Sequence, residues 1–292
     1  MTSYRGRFAP SPTGDLHFGS LVAALGSWLD ARAHGGEWLV RIEDLDPPRE
    51  VAGAAERQLA TLAAFGLEAD APVVRQSERA PLYDAALAGL EQAGRLFRCA
   101  CSRSDLAASN GIHRACLRPW SPGLPYALRL RMPDETICFD DRCHGRTCQA
   151  LATAVGDLVL RRSDGHYAYQ LAVVVDDAAQ GVTDVVRGAD LLDSTPRQIL
   201  LQRLLGLPTP RYLHLPLVRD EQGRKLSKSL AALPVDSSDP LPALRAAWRH
   251  LGQDERIGDA AYNVGDFLRL AQRTFEWRRI PHSVLNAGVL GV

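Results

Sequence analysis

An α/β fold built on a parallel sheet, with helices on both faces, is the architecture that this 292-residue sequence predicts. Three observations lead there. Strand-like and helix-like segments alternate through the first hundred residues. A glycine-bearing turn stands where the first strand gives way to the first helix, the place where such sheets hold ligands. The apolar and charged fractions, 46% and 23%, are ordinary for a globular chain long enough to bury a core.

The elements follow in order. "YRGRFAP" reads as a short strand running into the turn "PSPTGDLH". "FGSLVAALGSWLDARAHG" then carries Leu21, Leu25, Trp28 and Leu29 at helical spacing and stops at Gly35 and Gly36. "EWLVRIED" is a strand, "PREVAGAAERQLATLAAFG" a helix, "PVVRQ" a strand and "APLYDAALAGLEQAG" a helix. Far downstream, "LPVDSSDPLP" (233–242) has the composition of a linker. The segments "ALRAAWRHLG" and "VGDFLRLAQRTF" after it read as helices.

Composition narrows the function classes. The formal net charge is zero, so any surface for RNA must be a local patch rather than a global basic field. The start "MTSYRGRFAPSPTG" has no apolar h-region, and no segment approaches 18 uninterrupted apolar residues. Neither a signal peptide nor a membrane span is expected, and the cytoplasm is the expected location. Six cysteines cluster between Cys99 and Cys148, which suggests a metal site or buried thiols kept reduced rather than a disulfide scaffold.

Two spots carry the chemistry. In "DLHFGSL", His17 and Gly19 stand at a helix entry, where free N–H groups and the positive dipole end favour phosphate. In "GRKLSKSL", Lys225 and Lys228 are the only lysines among 34 basic residues. Arginine serves elsewhere, but a compact ammonium on a flexible stem suits moving phosphates better than a rigid fork. Read together, His17-Phe18-Gly19-Ser20 and Lys225-Leu226-Ser227-Lys228-Ser229 resemble the HIGH and KMSKS signatures of class I aminoacyl-tRNA synthetases, with Ser20 in place of the second histidine. "RFAPSPTGDLHFGSL", "RIEDLDPPRE" and the run from Tyr169 to Val218 are similar to the glutamyl/glutaminyl branch. Only about 60 residues follow the second signature, and this short form resembles the glutamyl-Q tRNA(Asp) synthetase family.

The resemblance implies a fold and a reaction. The fold is a class I Rossmann-type parallel-sheet domain with a zinc-bearing α+β insertion and a small C-terminal helical region. The reaction is activation of L-glutamate with ATP and magnesium, then transfer to queuosine in the anticodon stem-loop of tRNA(Asp), by a monomer. Arg7, Phe8, Ala9, Pro10, Ser11, Glu43, Tyr169 and Arg187 would bind glutamate. The residue types fit: arginine forks for the carboxylates, Glu43 and the Ser11 hydroxyl for the ammonium, Tyr169 as a wall. The alternatives are a structural Arg7–Glu43 ion pair and a core Tyr169. Asp44 and Asp46 read as turn and cap residues. His17, Gly19, Ser20, Lys225, Ser227 and Lys228 would bind ATP, with His17, Lys225 and Lys228 catalytic.

Cys99, Cys101, His113 and Cys116 suit tetrahedral zinc. In the family that the chain resembles, the third ligand is commonly a tyrosine four residues before the last cysteine. Here that position is Ile112, and His113 is one further on. Cys138, Cys143 and Cys148, with His144 nearby, fit no common zinc spacing. Four regions are expected: 1–96 and 191–235 as halves of the catalytic domain, 97–190 as the insertion, and 236–292 as the helical end. In the last region Arg245, Arg249, Arg269, Arg273, Arg278 and Arg279 are candidates for phosphate contact. The competing readings are a truncated synthetase charging a tRNA 3′ end, a nucleotidyltransferase acting on a small molecule, and an inactive binding paralogue.

Overall fold

A computed structural model describes residues 3–118, 120–218 and 233–282. The first strand, β1 (Arg5–Phe8), leads through the turn at residues 9–17 into α1 (Phe18–Ala33). β2 (Glu37–Ile42), α2 (Ala54–Ala64), β3 (Val74–Arg75) and α3 (Ala80–Gln92) follow. β2 lies between β1 and β3, parallel to both. The chain then forms β4 (Leu96–Cys99), β5 (Ala127–Leu130), the hairpin β6 (Thr136–Asp141) and β7 (Gly145–Ala150), α4 (Leu151–Ala154) and β8 (Leu158–Arg161). It returns through α5 (Tyr169–Ala179), β9 (Asp184–Gly188), α6 (Thr195–Leu205) and β10 (Arg211–Leu215), and ends in α7 (Pro240–His250), α8 (Glu255–Asp259) and α9 (Val264–Thr274).

β10 pairs in parallel with both β9 and β6, and β7 closes that group antiparallel to β6. The two parallel groups meet at β1. Arg5 N donates to Thr183 Oγ1 at 2.8 Å, and Thr183 N donates to the Arg5 carbonyl at 2.9 Å, just before β9. Strand order therefore reverses between β1 and β9, and the crevice beyond their carboxyl ends is where such sheets bind ligands.

α1 is buried on almost every side, not along one stripe; Leu21, Leu25, Trp28, Leu29 and Asp30 are all inaccessible or nearly so. One face lies on β1 and β9. The other is covered by α7 and α9, whose Leu244, Trp248 and Phe267 share its core. The helical end is thus packed into the catalytic core, and a helix hydrophobic all round is what such double coverage requires. Gly26 allows the close approach: a Cβ there would lie 2.7 Å from Leu215 Cδ1. Asp30 is satisfied inside by Tyr4 Oη at 2.6 Å and a two-pronged Arg142 at 2.6 and 2.9 Å.

The segment 97–190, expected as one inserted unit, divides between two sheets. β4, β5 and β8 form a separate antiparallel sheet, whereas β6, β7 and β9 belong with β10. Among the described residues no helix is long and apolar enough to cross a membrane.

Candidate active site

A cavity of about 760 Å³ opens at the carboxyl ends of β1, β9 and β10. It gathers Arg7 through Ser11 from the end of β1, His17, Gly19 and Ser20 from the entry of α1, and Glu43, Tyr169 and Arg187. Every described residue singled out from the sequence for glutamate or ATP lines this one space. Lys225, Ser227 and Lys228 lie outside the described residues. The described residues on either side of them return to the same place: Val218 lines the cavity, and Val235 N donates to the Leu16 carbonyl at 2.9 Å.

The two arginines are held in opposite ways. Arg7 grips Asp177 with Nε and Nη2, at 3.1 and 3.2 Å. Asp177 also receives Arg41 Nη1 at 2.8 Å, and Arg41 Nη2 reaches Glu43 at 3.2 Å. The structural Arg7–Glu43 ion pair does not form: Arg7 pairs with Asp177, and Glu43 with Arg41. Burial would raise the Asp177 pKa, but Arg7 and Arg41 outweigh it and hold the carboxyl below its ordinary value. Burial pushes Glu43 up, against the pull of Arg41 and Arg7.

Arg187, only 5% exposed, has no carboxylate within ion-pair distance among the described residues. Its partners are neutral. Nε donates to His214 Nε2 at 3.0 Å, and Nη2 to Thr195 Oγ1 and Gln198 Oε1, both at 2.9 Å. Tyr169, the first residue of α5, places its hydroxyl 3.4 Å from Nη1. It is half-buried at the wall rather than in the core, and burial raises its pKa.

At the nucleotide end His17 is the N-cap of α1, and its Nδ1 accepts from Ser20 N at 3.3 Å. Phe18 and Gly19 N–H belong to the first turn and have no intrahelical acceptor. The Ser20 N–H, by contrast, is already engaged by His17. Asp44 accepts from both Ser77 N and Ser77 Oγ, and Asp46, at the N-cap position of the turn at residues 47–49 but without a side-chain cap bond, pairs with Arg49 and Arg162. A second cavity of about 820 Å³ shares Ser11, Glu43, Arg49 and Tyr169 with the first and extends toward Arg103, Arg162 and Tyr167.

Cys99, Cys101 and His113 converge, their ligand atoms within 4.8 Å of one another and all three buried. His113 Nε2 lies 3.3 Å from Cys99 Sγ, while its Nδ1 lies 2.8 Å from Asp157 Oδ2. Backbone N–H groups of Cys101 and Arg118 donate to the Cys99 and Cys101 sulfurs at 3.4 Å. Burial raises the Cys101 pKa, but the Arg118 N–H and the neighbouring Cys99 prevail and the net shift is downward. Cys116 packs against this cluster but stands outside the mutually close set; burial and the Cys99 and Cys101 thiols push its pKa up to about 11. The expected four ligands are therefore three converged and one beside them.

The expectation of reduced thiols is corrected at the hairpin, where Cys138 and Cys148 form a disulfide. They face each other directly in the β6–β7 register, while Cys143 is a free, buried thiol. Among the candidate phosphate contacts, Arg245 is occupied by the Gly258 and Ala261 carbonyls, and Arg269 and Arg279 pair with Asp266 and Glu276. Arg249, Arg273 and Arg278 are exposed.

Sequence reasoning missed Arg41, Asp177, His214, Thr195, Gln198 and Asp157. Only Asp177 left a trace, as one of two adjacent acids inside the apolar run "LAVVVDDAA".

The site can be set beside known proteins. Residues 3–240 match the family described as tRNA synthetases class I (E and Q), catalytic domain. A Glutamyl-Q tRNA(Asp) synthetase of Xanthomonas campestris pv. campestris is 62% identical over 279 residues, covering 95% of this chain and 93% of the relative. One from Cupriavidus metallidurans is 54% identical, covering 99% and 98%. Among solved structures, a glutamate tRNA ligase from Elizabethkingia meningosepticum in complex with its amino acid superposes with a TM-score of 0.79 at 25% identity. It is matched over 97% of this chain and 66% of its own, so the chain spans about two thirds of that protein. This chain belongs to the glutamyl-Q tRNA(Asp) synthetase family, and its catalytic domain is that of the class I tRNA synthetases for glutamate and glutamine.

Proposed function

We propose that the chain activates L-glutamate with ATP to glutamyl-adenylate and passes the glutamyl group to queuosine in the anticodon of tRNA(Asp). The observation that carries the reading is the contrast between the two cavity arginines. A buried cation without a counter-ion is costly unless something supplies the missing charge. Among the described residues Arg187 is such a cation, with only neutral partners, and a substrate carboxylate would supply its counter-ion. Arg7 is charge-balanced by Asp177 but keeps Nη1 free of protein partners among the described residues. Glu43 and the exposed Ser11 are placed to accept from an ammonium, and Tyr169 closes the wall. Two arginines and one carboxylate around one space complement an amino acid with two carboxylates and one ammonium.

In the first step a glutamate carboxylate oxygen attacks the α-phosphorus of ATP, and the bond to the β-phosphate bridging oxygen breaks. Pyrophosphate leaves and glutamyl-adenylate remains. Little covalent work falls to the protein, so positioning and charge neutralisation dominate. The Gly19 N–H and the His17 ring would hold phosphate oxygens, and Lys225 and Lys228 would follow the charge developing on pyrophosphate. Magnesium carried by the ATP substrate would neutralise part of the phosphate charge. In the second step an acceptor oxygen on the modified base attacks the activated carbonyl and AMP leaves. The neighbouring cavity toward Arg103 and Arg162 is the approach that this acceptor would use.

The donor set Cys99, Cys101 and His113 suits zinc. A tetrahedron with bonds of about 2.0–2.3 Å has S–N edges of roughly 3.5 Å, close to the observed 3.3 Å between Cys99 and His113. His113 presents Nε2 because Asp157 takes Nδ1, and Cys116, packed against the cluster, would be the fourth ligand. Zinc there would fix the loop between β4 and β5 that borders the acceptor cavity. The cytoplasm, and action as a monomer, complete the reading.

The test is ATP–pyrophosphate exchange with glutamate, glutamine and aspartate, with tRNA(Asp) present. Exchange driven by glutamate alone supports the reading; equal exchange with all three contradicts it.

A further inference from the structure

His214 lies in the interior of β10, wholly inaccessible to solvent, and takes no part in the reaction described above. Its Nε2 is 3.0 Å from Arg187 Nε. Arginine offers donors only, so this imidazole nitrogen must accept, and the ring proton must sit on Nδ1. Nδ1 lies 2.7 Å from Asp141 Oδ2, at the end of β6. Asp141 in turn is fixed by three backbone donors: Cys143 N and His144 N, each at 2.9 Å from Oδ1, and His214 N at 3.2 Å from Oδ2. The carboxylate thus dictates the tautomer, and the tautomer dictates an acceptor for the guanidinium.

We propose that Asp141 and His214 are positioning residues for Arg187: a neutral imidazole of fixed tautomer holds the guanidinium so that its Nη1 edge meets a glutamate carboxylate. The inference rests on the proposed role of Arg187 in glutamate binding. The geometry argues for it in two ways. First, Nε and Nη2 are committed to His214, Thr195 and Gln198, and a planar fork held on those two sides has its third side fixed as well. That third side, Nη1, has only the long contact to the Tyr169 hydroxyl among the described residues, and Arg187 lines the cavity. Second, the intermediary is neutral. A carboxylate placed directly on Arg187 would satisfy its charge, as Asp177 does for Arg7. One imidazole further away, Asp141 orders the guanidinium and leaves its charge for the substrate.

The experiment is ATP–pyrophosphate exchange with tRNA(Asp) present, measuring KM for glutamate and for ATP separately. The proteins are wild type, Arg187→Lys, His214→Asn and His214→Gln. The asparagine amide reaches the Nδ1 position only, and the glutamine amide reaches the Nε2 position. His214→Asn is expected to raise the glutamate KM about 10- to 100-fold with the ATP KM unchanged, and His214→Gln to recover most of that loss. Asp141→Asn, which frees the tautomer without changing size, gives the same reading if His214→Asn does not fold, with a smaller rise expected in glutamate KM alone. If both KM values move together, His214 is merely structural and the proposal is overturned. If Arg187→Lys raises the glutamate KM and no His214 or Asp141 variant does, the positioning role fails while the Arg187 reading stands. If Arg187→Lys leaves the glutamate KM unchanged, the underlying reading of Arg187 fails, and the inference with it.

Discussion

Lowering the pH should destabilise this protein through a single buried imidazole as well as through its carboxylates. His214 has its pKa lowered to about 4, first by burial and then by Arg187, against the pull of Asp141. In the unfolded chain the same ring titrates at about 6.5. Between those values the unfolded state binds more protons than the native state, so native stability must fall as pH falls. Linkage over that interval gives a loss of about 2 kcal/mol between pH 7.5 and pH 5, approaching about 3 kcal/mol near pH 4. Burial would raise the Asp141 pKa, but His214 and backbone donors outweigh it and hold the carboxyl below its ordinary value, which adds a loss of the same sign below the ordinary carboxylate range. The assay is urea unfolding followed by tryptophan fluorescence at pH 7.5, 6 and 5, since Trp28, Trp38 and Trp248 are buried. Other groups titrate too, so the informative quantity is the difference between wild type and His214→Gln. The variant should be less stable at pH 7.5 but lose about 2 kcal/mol less on going to pH 5. Equal pH dependence in the two proteins would show that His214 is not held neutral, and would refute the tautomer argument built on Asp141.

Other substitutions probe the rest of the site. Asp177→Ala leaves Arg7 and Arg41 buried without their shared counter-ion, and should cost about 3–5 kcal/mol in urea unfolding while raising the glutamate KM. At Gly19 an added Cβ would lie 3.0 Å from His17 Cε1, so Gly19→Ala must displace the imidazole. It should raise the ATP KM about tenfold while sparing the glutamate KM. Purified protein should carry zinc measurable by atomic absorption, lost in Cys101→Ser, and Asp157→Asn should weaken metal affinity about 10- to 100-fold by freeing the His113 ring.

Much of the frame was legible because it is local. The strand "RGRF", the helix that opens at "FGSL" and the strand "EWLVRI" have periodicity and punctuation on their own residues, and each appears where expected. Boundaries moved where backbone chemistry intervened. The helix expected from "PREVAG" onward begins only at Ala54, because Gly53 sits in the left-handed region at φ 70° and the preceding residues form a separate short turn. Non-local pairings left little signal. Nothing near Arg7 announces that its partner is Asp177, 170 residues away, and His214 in "RYLHLPLV" looks like any polar residue in an apolar strand. The Cys138–Cys148 bond follows from an antiparallel register that becomes visible only once residues 136–150 are seen as a hairpin. The candidate glutamate residues were found through resemblance, whereas the groups that hold them were found only in the fold.

The most direct test of the account is transfer of labelled glutamate to tRNA(Asp), using four substrates: with and without queuosine, each with an intact or enzymatically trimmed 3′ end. Label should reach both queuosine-containing tRNAs equally and neither of the others. Label that requires the intact 3′ end, whatever base stands in the anticodon, would contradict the account and make the chain a shortened charging enzyme.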